Sequence, residues 1–185
     1  MYAESKEHHD VFMSYYWLSD MRLVHLEEAL RQFNFDYVVK IKEDTLLNPS
    51  MLYNRLLNMP RGYFIYGGVF NESNRIEAKL YNDRLEAVSG EVIQYVDPSF
   101  TVMSRAVVQN ILSVAHHIPY VDQEAEYIGM LGDKLKIGPT KLDWGYTDEG
   151  WDEGCVNGYS SYFTGLGSEE MEAAFERWTT CGNYC

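Results

Sequence analysis

A chain of 185 residues, 46% of them hydrophobic, carries enough apolar material for the core of one domain. Its net charge of −13 argues against a nucleic-acid binder, because phosphate contacts need a basic face, and no run of eighteen apolar residues is present to span a membrane. Aromatic residues make up 15%, including fifteen tyrosines, which suits a folded protein with groove-like surfaces and not a disordered one.

The polar start, Met1-Tyr2-Ala3-Glu4-Ser5-Lys6-Glu7-His8-His9-Asp10, has no signal-peptide core. Val11-Phe12-Met13 predicts a short strand. Ser19 or Asp20 can cap a helix whose apolar positions, Leu23, Leu26, Leu30 and Phe33, recur at helical spacing. Asn34-Phe35-Asp36 then turns the chain into the strand Tyr37-Val38-Val39-Lys40-Ile41. Asn48-Pro49 predicts a helix start, a capping side chain followed by proline in the first turn. Leu52, Leu56 and Leu57 are its expected buried face, and Pro60-Arg61-Gly62 ends it.

Tyr63-Phe64-Ile65-Tyr66-Gly67-Gly68-Val69 reads as a second buried strand with a close backbone approach at the glycines. Residues 71–92 are polar and mixed, an excursion loop with short pieces of structure. Phe100-Thr101-Val102-Met103 is a third strand, and Ser104 caps a helix carrying Val107, Val108, Ile111 and Leu112. Asp122 is the expected cap of a helix through Tyr127, Met130 and Leu131, and residues 134–137 read as a last strand. Strands alternating with helices predict an α/β domain with a mostly parallel sheet.

From Asp143 the composition changes to a Gly/aromatic stretch, with Trp144, Tyr146, Trp151 and Tyr159 among its aromatics and no clear period. Residues 168–178 then read as a short acidic amphipathic helix. The three cysteines, Cys155, Cys181 and Cys185, all lie in this part of the chain. An odd count leaves one free thiol or a partner outside the chain, and the spacing does not fit a zinc site. A disulfide from Cys155 to either of the other two would fit a secretory-pathway protein.

The most informative stretch joins the first buried strand to Lys42-Glu43-Asp44-Thr45. A carboxylate at the end of a buried strand points into the crevice where open α/β sheets bind ligands. Hard cations such as Mg²⁺ or Mn²⁺ prefer oxygen ligands, and such an ion would offset the charge of a sugar-nucleotide diphosphate despite the acidic field of the chain. The plainer alternative is a strand end with two solvated acids.

This order of elements resembles the β-1,3-galactosyltransferase-like family of inverting glycosyltransferases, which have the GT-A fold. Ser14-Tyr15-Tyr16-Trp17-Leu18 and the helix after it occupy the place of the family's Ser-aromatic-x-Leu segment. Lys40-Ile41-Lys42-Glu43-Asp44 aligns with the family's Lys-x-Asp-Asp-Asp, and Leu46-Leu47-Asn48 with its apolar-apolar-Asn step. Tyr66-Gly67-Gly68 matches the aromatic-x-Gly strand, and Phe100-Thr101-Val102-Met103-Ser104-Arg105 the later strand that runs into a serine. Glu124-Ala125-Glu126-Tyr127-Ile128-Gly129 aligns with Glu-Asp-Val-x-x-Gly. The resemblance covers roughly residues 10–137 and implies a GT-A-like domain over residues 1–142, with its N-terminal strands missing or reduced. Residues 143–185 are then an extension packed on the same domain.

The departures are specific. The first aspartate of the acidic triplet is Lys42, and the aspartate that the family would use as catalytic base is Ala125. The glycine pair before the third strand is replaced by Asp97-Pro98-Ser99, and no histidine follows position 117. An inverting transfer needs a base for the acceptor hydroxyl, positive charge for the departing diphosphate, and both substrates held in line. Asp44 is the candidate for the metal or diphosphate side, with Glu43 beside it as a contact to the ribose or to the groups around the metal; Lys42 can instead offset diphosphate charge directly without a metal, or is simply an exposed lysine at a strand end. Glu124 and Glu126 are the candidate bases, Glu124 being preferred because it holds the family's Glu position, with Asp122 as a cap able to reach inward. Residues two apart on a helix do not share a face, so at most one of the two glutamates points into the cleft. The alternative is an ordinary acidic first turn stabilised by the helix dipole.

His116-His117 fits a helix C-terminus better than a metal site, and the glycines are too scattered for a phosphate loop. Trp144, Tyr146 and Trp151 can stack on an acceptor sugar or pack on the core. Taken together, the resemblance implies transfer of a hexose or N-acetylhexosamine from a UDP-sugar to a glycan or glycoprotein acceptor, in β-1,3 linkage with inversion. It also implies Mn²⁺ and residence on the lumenal side of the Golgi membrane, behind an anchor outside this chain. The rival is a non-catalytic relative that acts as a glycan-binding or assembly module, which the changes at Lys42 and Ala125 favour.

Overall fold

The computed structural model describes residues 11–14, 23–59, 66–68, 75–77, 92–118, 121, 123–147 and 161–181. In chain order they form β1 (Val11–Ser14), α1 (Val24–Gln32), β2 (Tyr37–Ile41), β3 (Leu46–Leu47), α2 (Pro49–Leu57), β4 (Tyr66–Gly68) and β5 (Arg75–Glu77). There follow β6 (Val92–Gln94), β7 (Phe100–Ser104), α3 (Arg105–Val114), α4 (Glu124–Lys134), β8 (Thr140–Lys141), β9 (Gly145–Thr147), β10 (Tyr162–Thr164) and α5 (Ser168–Cys181).

Strand alternation builds two cores on the two faces of one sheet. Tyr37, Val39 and Ile41 of β2 join Phe100 and Val102 of β7 and pack on Leu52 and Leu56 of α2, Leu47 and Tyr162. Val38 and Met103 turn the other way, into a core with Leu26 and Ala29 of α1, Val107, Val108 and Ile111 of α3, and Ile128, Met130 and Leu131 of α4. The sheet has the order β1-β2-β7-β4-β8. β1 with β2 and β4 with β8 are parallel, while β7 runs antiparallel to both its neighbours. The α/β class therefore stands, with helices on both faces of a sheet of mixed pairing. A smaller sheet, β3-β10-β9, covers the α2 side, and α5 lies against it through Phe163, Leu166 and Ala174.

Local chemistry explains the helix starts. Asn48 Oδ1 accepts the Met51 N–H at 3.1 Å, with Pro49 in the first turn. Ser104 Oγ accepts the Val107 N–H at 3.4 Å and opens α3. Two expectations fail at helix edges. Leu57 is 39% exposed, because Leu52 and Leu56 share one stripe and Leu57 lies a step further round the axis. Residues 134–137 form no strand: α4 runs to Lys134 and ends with Lys136 at φ 59, the Lys136 N–H bonding to Asp133 O and the Ile137 N–H to Gly132 O. These two bonds are a Schellman closure, with a lysine in the left-handed position that glycine usually holds. The strand of this region is β8, three residues further on.

The residue before α1 is Leu23, in the left-handed region at φ 58, and Ser19 and Asp20 lie outside the described residues. The cap position of α4 is Gln123, without a side-chain cap bond, and Asp122 also lies outside them. Cys155, Cys185 and Trp151 do too, so the described residues say nothing about disulfide pairing.

Two glycines of the matched motifs mark close backbone approaches. A Cβ on Gly68 would stand 2.3 Å from Phe100 O, and one on Gly129 would stand 2.6 Å from Tyr95 Cβ. The first lets β4 pair tightly with β7, and the second lets α4 lie down on the segment after β6.

Candidate functional site

β1, β2, β4 and β8 point the same way, so their carboxyl ends share one edge of the sheet, together with the turn that enters β7. In open α/β sheets this edge is where ligands bind. The acidic tip stands on it, immediately after β2. Lys42 and Glu43 are exposed and Asp44 is half-buried.

The tip is pinned from both sides. The Lys42 N–H bonds to Ser99 O at 3.2 Å, and the Leu166 N–H bonds to Asp44 O at 3.2 Å. Thr45, 3% exposed, has Oγ1 within 3.1 Å of both Ser99 O and Thr164 Oγ1, and 3.3 Å from Asp44 Oδ1. Asp97-Pro98-Ser99 does without the glycine pair because Asp97 Oδ1 accepts the Ser99 N–H at 2.8 Å, closing the turn with a side chain. Thr45 and Asp97 stand in motifs visible in the sequence but without a role assigned there; a small polar residue directly after a strand-end acid was the available signal for the first.

On the same edge, Trp144 is half-buried, with the Arg55 guanidinium 5.8 Å from its ring centroid, and Arg55 Nη1 reaches Asp143 O at 3.5 Å. Trp144 also packs against the α2-side core, so part of its ring is structural. Tyr162 lies beneath, fully buried and stacked on Phe100 at 3.8 Å. Burial, with the negative charges of Asp97 and Asp143, pushes its hydroxyl well above the usual tyrosine range.

Glu124 begins α4, on the face of the sheet that carries α1 and α3, with Oε2 2.9 Å from Lys40 Nζ and Oε1 3.1 Å from His25 Nε2. Lys40 comes from β2 and His25 from α1, so three elements meet on one carboxylate. Burial alone would push Glu124 up, but the contact with His25 and the charges of Lys40 and His25 outweigh it and hold the carboxyl at about 2. A group so acidic keeps its charge and takes up a proton poorly at neutral pH. Glu126, half-buried in the same turn, lies roughly 200° further round the helix axis. His25 and Lys40 were not singled out from the sequence, although a lysine within an apolar strand and a histidine four residues before Ala29 on the buried helix face were visible signals.

Among the described residues no group of three His, Cys, Asp or Glu side chains is placed to hold a metal ion. Hard cations that bind diphosphates, however, are held by one or two carboxylates and complete their shell from phosphate oxygens. Asp44, with Glu43 beside it, has the donor chemistry for that arrangement, while Lys42 brings a positive charge to the same tip.

The family model described as galactosyltransferase matches residues 1–143. The chain belongs to the galactosyltransferase family. No curated protein matches it in sequence. Among solved structures it is similar to mouse xyloside xylosyltransferase 1 in its apo form, at 11% identity and a TM-score of 0.44 over 77% of this chain and 62% of that one. It is also similar to the galactosyltransferase LgtC in complex with donor and acceptor sugar analogues, at 11% identity and a TM-score of 0.40 over 78% of this chain and 58% of that one. The chain thus spans less than two thirds of the length of either.

Proposed function

We propose that this chain is a glycosyltransferase domain that binds a UDP-sugar at the Lys42-Glu43-Asp44 tip and transfers a hexose or N-acetylhexosamine to a glycan acceptor. The observation that carries the reading is Asp44, half-buried at the carboxyl edge of the sheet on a turn pinned by β7 and by the segment after β10. A carboxylate held that rigidly is suited to fix a ligand group, since misplacement by an ångström costs orders of magnitude in rate. β-1,3 linkage, inversion, a Golgi-type compartment and residues 143–185 forming one unit with the rest belong to the same proposal. The pairing of β10 with β3 supports the last of these.

In this reading Lys42 offsets diphosphate charge and Glu43 contacts the ribose. A divalent ion such as Mn²⁺, when bound at Asp44, would supply further positive charge to the leaving group. Because Glu124 is engaged by two basic side chains, the acceptor-side base falls to Glu126. It would take the proton of an acceptor hydroxyl as that oxygen bonds to the anomeric carbon and the bond from that carbon to UDP breaks, UDP leaving with the electron pair.

The rival, a non-catalytic relative that binds glycans or assists assembly, is favoured by one observation: the retained Glu124 is engaged in an ion pair while its neighbour is Ala125. Calorimetric titration of UDP, first with Mn²⁺ and then with EDTA, separates the cases. Manganese-dependent binding supports the transferase reading with an ion at Asp44. Binding indifferent to EDTA assigns the diphosphate to Lys42, and absence of binding under both conditions overturns the transferase reading in favour of the rival.

A further inference from the structure

We infer that Glu124 is a positioning residue: by bridging Lys40 and His25 it fixes the first turn of α4 against the strand that ends in Lys42-Glu43-Asp44. The inference deepens the transferase reading, since the tip it positions is the proposed donor site. Lys40 sits one residue before the end of β2, and its side chain leaves on the face that carries α1, α3 and α4, as Val38 does two residues earlier. Its ammonium meets Glu124 Oε2 at 2.9 Å, with side chains only 19% and 20% exposed. The other oxygen meets His25, 9% exposed, in the first turn of α1.

Each link is short and shielded, so a change at Glu124 releases three elements at once. The links also converge near the functional edge. β2 leads into the tip within two residues of Lys40, and Ala125 and Glu126 follow Glu124 directly. The bridge therefore sets the distance between the donor-side turn and the turn that carries the remaining acceptor-side carboxylate. Glu124 touches no reacting atom in this arrangement; it acts through the backbone of β2 and of the first turn of α4.

The test compares wild type with Glu124→Gln, which keeps the shape of the side chain and removes its charge. Backbone hydrogen exchange is read by mass spectrometry and UDP affinity by calorimetry. A positioning role predicts faster exchange in two separate segments, residues 42–45 and residues 124–128, with UDP affinity reduced about tenfold. Glu172→Gln, on the exposed face of α5, serves as the control and leaves both exchange and UDP affinity unchanged. Glu124→Asp keeps the charge but shortens the reach by one methylene, and shows the same pattern in weaker form if E124Q does not fold. Lys40→Arg in the wild-type background, which keeps the charge, retains wild-type exchange in residues 42–45. Acceleration confined to residues 124–128, with residues 42–45 unchanged, overturns the inference and leaves Glu124 a local helix anchor. The exchange comparison decides the matter even if wild type binds no UDP, an outcome that counts against the donor reading alone.

Discussion

Replacing Glu124 by glutamine should cost stability in a manner that depends on pH. The carboxyl is held at about 2 against an ordinary 4.5. At about 1.36 kcal/mol for each tenfold change in proton affinity, that difference is on the order of 3 kcal/mol. Removing one partner of a buried pair costs about 3–5 kcal/mol, and the fifth of each side chain still exposed puts this pair at the lower end. The sign follows from the depressed value. Above pH 4.5 the folded and unfolded states both carry the charge, and the stabilisation is fully present. As the pH falls from 4.5 towards 2 the unfolded state takes up its proton first, and the contribution disappears. Urea unfolding of wild type and E124Q, followed by far-ultraviolet circular dichroism, should therefore show a gap of about 3 kcal/mol at pH 7 and pH 5. That gap should narrow through pH 4 and 3 and nearly close at pH 2. A gap of the same size at pH 7 and pH 2, or one below about 0.5 kcal/mol at pH 7, would refute the reasoning.

Three further outcomes are expected. Asp44→Ala should abolish UDP binding in calorimetry while the circular dichroism spectrum stays that of wild type; unchanged affinity removes the donor assignment of the tip. Gly129→Ala should lower stability by about 1–3 kcal/mol in urea unfolding, because the new methyl meets Tyr95 Cβ at 2.6 Å and α4 must move away. Equal stability there would mean that the helix shifts at no cost. Asn48→Ala should cost about 1 kcal/mol by the same assay through loss of the bond to the Met51 N–H, whereas Asn48→Gly should cost only a few tenths.

The parts of the fold that were legible in the sequence are those where a local rule and a packing rule agree. Asn48-Pro49 and Ser104 are helix caps whose chemistry lies within three residues, and the alternation of Tyr37, Val39 and Ile41 against Val38 needs no knowledge of partners. β3, β8, β9 and β10 are too short to show any period, so only pairing defines them. Residues 134–137 misled because Leu135 and Ile137 alternate like a strand while both pack on the core from a helix end. The position of the acidic tip was legible, since it follows directly from β2. Its support was not: Ser99, Thr164 and Leu166 reach it from remote parts of the chain. The partners of Glu124 were hidden for the same reason, and with them the cause of its low proton affinity.

The meeting of Lys40 and Glu124 changes how the family pattern is read in this chain. Lys40 opens the segment aligned with the acidic triplet, and Glu124 opens the segment aligned with the Glu-Asp pair. In the fold they hold each other at 2.9 Å, so each supplies the other's counter-charge. Two of the positions where the chain departs from the pattern, Lys42 and Ala125, are ones to which the resemblance assigns a ligand-facing role. An ion pair in a shielded place constrains both partners together, because losing one leaves the other charged without compensation. A ligand-facing residue has no such internal partner, and changes there leave the fold intact. On the proposed reading Glu124 therefore serves the scaffold, and the test of turnover falls on Asp44 and Glu126.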